Sequence, residues 1–351
     1  MARYQRSYRA MGSSFYLCVD TSIELVYAEH LFDQLEQRTE QLEQVMSRFR
    51  PDSELVRLNQ RVGEWVRVSR TLRQVLDLAA LFHHVSGGAF DPRVIRHLEQ
   101  IGYPGAPIDV SKSADSAMSL DDPLFDTTGT SGEVCLHHPL DLGGIGKGYA
   151  ADSLADLLAS SIASSDRYGF IVDAGGDIVL SGCQESGAGW SIGVEDPYGG
   201  AEDLAATVEF PASLERIAMC TSSLKKRSWS FEGNPVHHLI DPRQAGPART
   251  RFRAVTAVGP TATHTEVFTK CKMISTTVAN TNGASTEGIP DNGMWEPLMQ
   301  SLTGEPESGY SWRSTALPYI AVDVTETLEY TSDIAPILTW ISSKYQHARV
   351  V

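Results

Sequence analysis

The chain of 351 residues carries 44 acidic against 29 basic side chains, a formal charge of −15. That balance excludes nonspecific nucleic-acid binding, which needs clustered Lys and Arg to neutralise phosphates. A hydrophobic fraction of 42% supports a substantial core, in one large domain or two smaller ones, and no stretch reaches the length that spans a bilayer.

The N-terminus reads MARYQRSYRAMGSSFYLCVD, polar and basic where a secretory signal carries its apolar core. It predicts a cytoplasmic protein with no membrane partner. Residues 14–20 alternate as a strand. Between Ser22 and Phe49 the apolar positions Leu25, Leu31, Leu35, Leu42, Val45 and Met46 recur at helical spacing, predicting a long amphipathic helix. A second helix is predicted over 71–85, capped by Ser69 or Thr71. SGGAFDP at 86–92 makes a turn, and 101–134 is a loop-rich insertion. A third helix is predicted over 149–160.

Strands are predicted at 168–173, 177–181, 189–194, 205–210 and 253–259, short and bounded by Gly, Asp or Pro, as in an antiparallel or mixed sheet. Residues 276–312 are rich in Gly, Thr, Asn, Pro and Ser, and 318–329 alternate as a further strand. With no repeat or linker, the expectation is one compact α/β (α+β) domain over 1–351, a mixed or antiparallel sheet flanked by helices. Cys18, Cys135, Cys183, Cys220 and Cys271 are scattered and show no CxxC spacing, which predicts reduced thiols.

The densest chemical signal is LDLGGIGKGYAAD at 140–152. It sets Asp141, Gly143, Gly144, Gly146, Lys147 and Gly148 immediately before a helical sequence. Such glycines allow positive φ and close ligand approach, Lys147 supplies a point charge, and the helix presents its positive end. The pattern reads as a phosphate or pyrophosphate site, with a purely structural strand-to-helix turn as the alternative.

Other segments occur in a fixed order: MGSS at 11–14, SRFRPDSEL at 47–55, SGGAFDP at 86–92, DAGGDIVLSG at 173–182, GVEDP at 193–197 and HLIDPRQAGP at 238–247. With the lysine loop they resemble the ApbE family, the FAD:protein FMN transferases, over about residues 8 to 275. The resemblance implies removal of FMN from FAD and its attachment through phosphate to a Thr or Ser of a target flavoprotein, with AMP released and magnesium as the usual metal. Many members are exported lipoproteins, and here the N-terminus departs from them. The part beyond about residue 276 is divergent.

For FAD, the resemblance implies contacts from Met11, Phe49, Ala89, Phe90 and Asp91, the Met and aromatics packing against a flavin or adenine ring. Asp141 and Lys147 match flavin-binding positions of the loop, with Lys147 suited to phosphate. Asp177 is either a turn former or a ligand contact. The resemblance also implies that Ile240 lies beside the flavin site. His238, which opens HLIDP, is the natural base for the acceptor hydroxyl, although His237 next door leaves the choice of imidazole open.

The metal site is where the chain departs. The family places a backbone carbonyl of the lysine loop, here Gly144, with an Asp and a Thr four apart. A gapless match from Val255 puts Glu266 at the Asp position and Lys270 at the Thr position; sliding by one residue offers Thr269 as the hydroxyl. Three readings stand: a weaker magnesium site of Gly144, Glu266 and Thr269, a lysine that replaces the metal, or a flavin binder without transferase activity. FAD pyrophosphatase activity, giving free FMN and AMP, is a further alternative. The family's S-G-x-Y segment corresponds to Ser222-Ser223, followed by Leu224-Lys225-Lys226-Arg227, either a solvated basic turn or an anion contact.

Overall fold

The structure is a computed structural model that describes residues 2–103, 122–128, 132–162, 168–200, 202–213, 216–275, 319–323, 327–331, 338–341, 343–345 and 349–350. Its helices are α1 (Leu25–Met46), α2 (Glu54–Asn59), α3 (Arg70–Val85), α4 (Ile95–Gln100), α5 (Gly146–Ile162) and α6 (Ala262–Ser275). Among the described residues the main sheet has nine strands, in the order Ala2–Ala10, Ser13–Thr21, Gly169–Ala174, Asp177–Gly182, Ile217–Ser223, Phe252–Gly259, Tyr319–Asp323, Leu328–Tyr330 and Arg349–Val350. Every pairing is antiparallel except the last. The mixed, mainly antiparallel α/β architecture is the one expected.

Both faces of the sheet are covered, and the alternation along its strands assigns each side chain to one face. Phe15, Leu17 and Val19 pack with the helices in the larger core, alongside Phe170, Val172 and Ala218. Cys18, Ile217 and Met219 point the other way. They pack on the small sheet formed by Trp190–Glu195, Leu204–Phe210 and Leu338–Ile341. A third cluster, including Phe252, Val255, Phe268 and Met273, seats α6 on the sheet.

Helix α1 is shorter than the predicted 22–49, because Ser47 turns extended (ψ 128) and the chain doubles back into α2. The edge strand Ala2–Ala10 escapes sequence reading because a charge stands on its inner face. Arg6 lies over the Phe32 ring at 5.3 Å and reaches Asp33 and Glu36 of α1, keeping its stem on apolar surface and its head paired. Ile217–Ser223 was also missed. Its buried central position gives an apolar run in place of a clear alternation.

The predicted strand over 318–329 is two neighbouring strands, Tyr319–Asp323 and Leu328–Tyr330. At the predicted insertion, Glu133–Leu136 pairs on one side with Trp65–Arg67 and on the other with Phe125–Thr127 in a small sheet; the predicted loop segment 276–312 lies outside the described residues. Among the described residues no helix is long and apolar enough to cross a membrane.

Candidate functional site

The lysine loop is fixed at its start by Asn59, whose Nδ2 donates to the Leu140 carbonyl at 2.8 Å while its Oδ1 accepts from Leu140 N at 2.9 Å. Asp141 N then donates to the Pro92 carbonyl at 2.6 Å, joining this loop to the GAFD turn. Helix α5 begins at Gly146, three residues earlier than predicted, so Lys147 and Gly148 sit in its first turn.

None of Gly143, Gly144, Gly146 and Gly148 has the positive φ expected of the loop, while Gly143 and Gly144 do line the cavities described below. Gly148 is required by close approach instead. A Cβ there would stand 2.5 Å from the Ala262 carbonyl oxygen and 2.8 Å from Thr263 Cα, so α5 and α6 meet at this point. Asp152 holds the same contact from one turn further on, accepting from Ala262 N at 3.0 Å and Thr263 N at 2.8 Å. It thereby caps α6.

An internal anion occupies the start of α5. Gly148 N donates to Glu266 Oε2 at 2.7 Å, so a carboxylate from α6 takes the partial positive charge of the helix end. Glu266 Oε1 accepts from Lys147 Nζ and from Lys270 Nζ, both at 2.8 Å. Lys147 also pairs with Asp177, on the neighbouring strand. Two lysines and two carboxylates thus balance in one cluster, with both carboxylates essentially buried.

The neighbours decide the ionisation. Burial pushes Glu266 up, but the charges of Lys147 and Lys270 outweigh it and hold the carboxyl below its usual range. Asp177 is pushed up by burial and by the nearby Glu266 charge. Burial opposes the charge on Lys147, and Asp177 and Glu266 overcome it, raising its pKa.

Above this cluster lie two adjoining cavities. The first is an apolar slot lined by Phe49, Ala89, Phe90, Asp91, Tyr103, Asp141, Gly144, Leu239, Ile240 and others. The second, of about 790 Å³, is large enough for a nucleotide-sized group and is walled by Ser13, Ser14, Lys147, Gly175, Thr221, Lys225 and neighbours. They share four lining residues: Gly143, Arg227, His238 and Lys270.

Two turns of the same design shape the slot. In Asp91-Pro92-Arg93, Asp91 Oδ1 accepts from Arg93 N at 2.8 Å and from Arg93 Nε at 3.0 Å. In Asp241-Pro242-Arg243 the corresponding distances are 3.1 Å and 2.9 Å. Each aspartate is committed to its own arginine, and each turn sets the preceding residue, Phe90 or Ile240, into the slot wall. Asp141 is likewise paired, with Arg48 Nε at 2.9 Å, and Arg48 lies over Phe49 (5.1 Å) and Tyr103 (5.5 Å). Tyr103 in turn stacks on Trp229 at 5.2 Å.

Of the sequence-predicted residues, Phe49, Ala89, Phe90, Asp91, Asp141, Gly144, His238 and Ile240 come together on the slot. Met11 does not line either cavity. It stands at the turn between the first two strands, its N–H donating to Glu43 Oε2 at 3.0 Å. Asp177 lies beneath the site on Lys147. Thr269 is fully buried, its hydroxyl 2.8 Å from Ser222 Oγ and 2.9 Å from the Glu266 carbonyl oxygen.

His238 Nδ1 lies 3.3 Å from the Arg227 carbonyl, which only accepts, so Nδ1 carries the proton and Nε2 keeps its lone pair. Burial, then the Arg227 charge, push its pKa down to about 3, leaving a neutral imidazole. His237 is engaged elsewhere, its Nε2 3.1 Å from the Ala248 carbonyl.

The ApbE family profile matches residues 15–284. This chain belongs to the ApbE family. Its relatives include the FAD:protein FMN transferase of Treponema pallidum, 30% identical over 70% of this chain and 70% of that protein. The Escherichia coli FAD:protein FMN transferase is 24% identical over 76% of each. The fold is shared with the crystal structure of the ApbE protein from Thermotoga maritima, at a TM-score of 0.75 and 21% identity, covering 97% of this chain and all of that one. Flavin transferase ApbE from Vibrio cholerae aligns at 0.65 and 20% identity, covering 96% and 99%.

Within this ApbE chain, sequence reading passed over Arg48, Tyr103 and Trp229, which build the aromatic wall, and left Arg227 undecided in a basic run. Arg48 stood inside the quoted SRFRP segment. The repeated Asp-Pro-Arg was a visible signal for two matching turns.

Proposed function

We propose that this chain transfers FMN from FAD to a Thr or Ser hydroxyl of a target flavoprotein, releasing AMP. One observation carries the reading: an apolar slot and a nucleotide-sized cavity meet at Arg227, His238 and Lys270. A ring system held in the slot and an adenylate in the wider cavity would bring the pyrophosphate to that junction. There the Arg227 and Lys270 side chains offer positive charge and His238 offers a neutral base. The same reading is supported by relatives that carry this activity in their names.

In the transfer, the acceptor oxygen forms a bond to the FMN-side phosphorus as the bond from that phosphorus to the AMP phosphate oxygen breaks. The bonding electron pair leaves with AMP, and the hydroxyl proton passes to His238 Nε2. Negative charge grows on the bridging and leaving oxygens, where the junction cations stabilise it. Phe49, Phe90 and Ile240 keep water from the ring, and Asp141, held by Arg48, offers an acceptor at the slot floor.

Five cysteines without a disulfide suit a reducing compartment, and we place the reaction in the cytoplasm.

The test is to mix the protein with FAD and a target flavoprotein, beside that target with its acceptor Thr or Ser changed to Ala. AMP and protein-bound flavin should appear in equal amounts, by mass spectrometry, with the intact acceptor only. AMP with free FMN and no bound flavin would replace this reading with pyrophosphatase activity.

A further inference from the structure

The residues expected to hold magnesium do not fit it. Glu266 is fully buried, and both its oxygens are taken, Oε1 by two ammonium groups and Oε2 by the Gly148 N–H. The Thr269 hydroxyl is spent on Ser222 and on the Glu266 carbonyl. Magnesium demands six oxygen ligands in near-octahedral array, and it repels ammonium groups. Among the described residues no group of three or more His, Cys, Asp or Glu side chains is placed to hold a metal ion.

What stands there is Lys270. Glu266 and Lys270 are four apart in α6, so they share a face, and the ammonium bonds the carboxylate at 2.8 Å. The Lys270 stem runs past Gly144, its Cδ 3.6 Å from where a Gly144 Cβ would lie. Its side chain lines both cavities at their junction, 14% exposed. A cation is thus delivered to the α6 carboxylate and to the junction of the two cavities without an ion being recruited.

We infer that the Lys270 ammonium takes the place of the divalent cation, so that this chain works on FAD without magnesium. This deepens the transferase reading and rests on it for the reaction, though not for the cation binding. Arg227 supplies a second positive charge at the same junction. The step gains no new atoms: Lys270 neutralises the pyrophosphate oxygens and the departing AMP, and keeps its own protons.

Two measurements separate the inference from the transferase reading. The first is Mn²⁺ binding, by paramagnetic resonance of the free ion, to the native protein and to a Glu266→Asp/Lys270→Thr double variant. The native protein should bind none up to millimolar Mn²⁺, and the double variant should bind at least tenfold more tightly. The second is FMN transfer after EDTA treatment. Native turnover should stay within twofold with EDTA or with added Mg²⁺. Lys270→Met should lose on the order of 10²-fold, and Lys270→Arg should retain more activity than Lys270→Met. Micromolar Mn²⁺ binding by the native protein, or activity lost to EDTA and restored by Mg²⁺, would overturn the inference. Absence of transfer with every target, alongside no Mn²⁺ binding, would instead sink the transferase reading and leave the cation replacement standing.

Discussion

Glu266 and Asp177 share a single ammonium, that of Lys147, yet they are not equivalent. Glu266 has a second cation in Lys270 and a backbone N–H from Gly148, whereas Asp177 Oδ1 is buried with no hydrogen-bond partner among the described residues. Glu266 is therefore the carboxylate that holds the charge, and Asp177, pushed up, is the one that can carry a proton.

Replacing them should separate the two. Glu266→Gln leaves two partly buried lysines with one carboxylate and should cost up to about 3–5 kcal/mol, the range for breaking a buried pair from one side. Asp177→Asn should cost less than half as much. Urea denaturation of both variants checks the order; equal losses would mean that the two carboxylates carry the same charge.

The α5–α6 contact gives a steric prediction. Gly148→Ala drives a methyl into the Ala262 carbonyl, and backbone cannot swing aside as a side chain can. A loss of about 1–3 kcal/mol or more is expected, with the Gly148–Glu266 hydrogen bond strained as well. Gly146→Ala is the control. Its nearest neighbours would be flexible Met11 and Met46 atoms at 3.9 Å, and stability should stay within about 0.5 kcal/mol.

How much of this was legible follows from which signals are local. The helices and short strands were read from periodicity because their apolar stripes face a single core. Ala2–Ala10 was missed because Arg6 occupies an inward position and is satisfied only by α1, far along the chain. The slot was visible as motifs, since Phe90 and Ile240 stand beside their own turns.

Lys147 lines the wider cavity, as a phosphate ligand would, but its two carboxylate partners could not be read from sequence. Asp177 and Glu266 both lie on it, and neither is near it in the chain. The Lys270 anomaly was visible, but its consequence depended on where the Glu266 oxygens go.

Arg227 and Lys226 test the anion side of the junction. Arg227 lines both cavities, and no hydrogen bond or ion pair of its guanidinium is found among the described residues, whereas Lys226 is exposed and meets Glu195 at 3.3 Å. Arg227→Ala should weaken FAD binding by about 1–3 kcal/mol with little change in melting temperature. Lys226→Ala should be near neutral for both. Fluorescence titration with FAD reads the affinities, and an unchanged Arg227→Ala would remove that residue from pyrophosphate binding.

His238 carries the last prediction. His238→Ala should reduce turnover on the order of 10²–10⁴-fold while FAD affinity changes only a few-fold, the pattern for a general base. His237→Ala should be milder in turnover, because its Nε2 is tied to the Ala248 carbonyl. The pH dependence follows from the depressed pKa. In the folded protein the imidazole stays neutral down to about 3, against 6.5 when free, so the unfolded chain binds the extra proton first. Its contribution to stability is complete above pH 6.5 and is lost as pH falls from there towards 3. For the same reason kcat/KM for FAD, which reports the free enzyme, should show no acid limb near 6.5 from His238. Bound pyrophosphate brings negative charge beside the ring and raises its pKa, so the acid limb in kcat should lie at higher pH than the one in kcat/KM. A kcat/KM limb near 6.5 that disappears in His238→Ala would show a solvated imidazole in place of the buried neutral base.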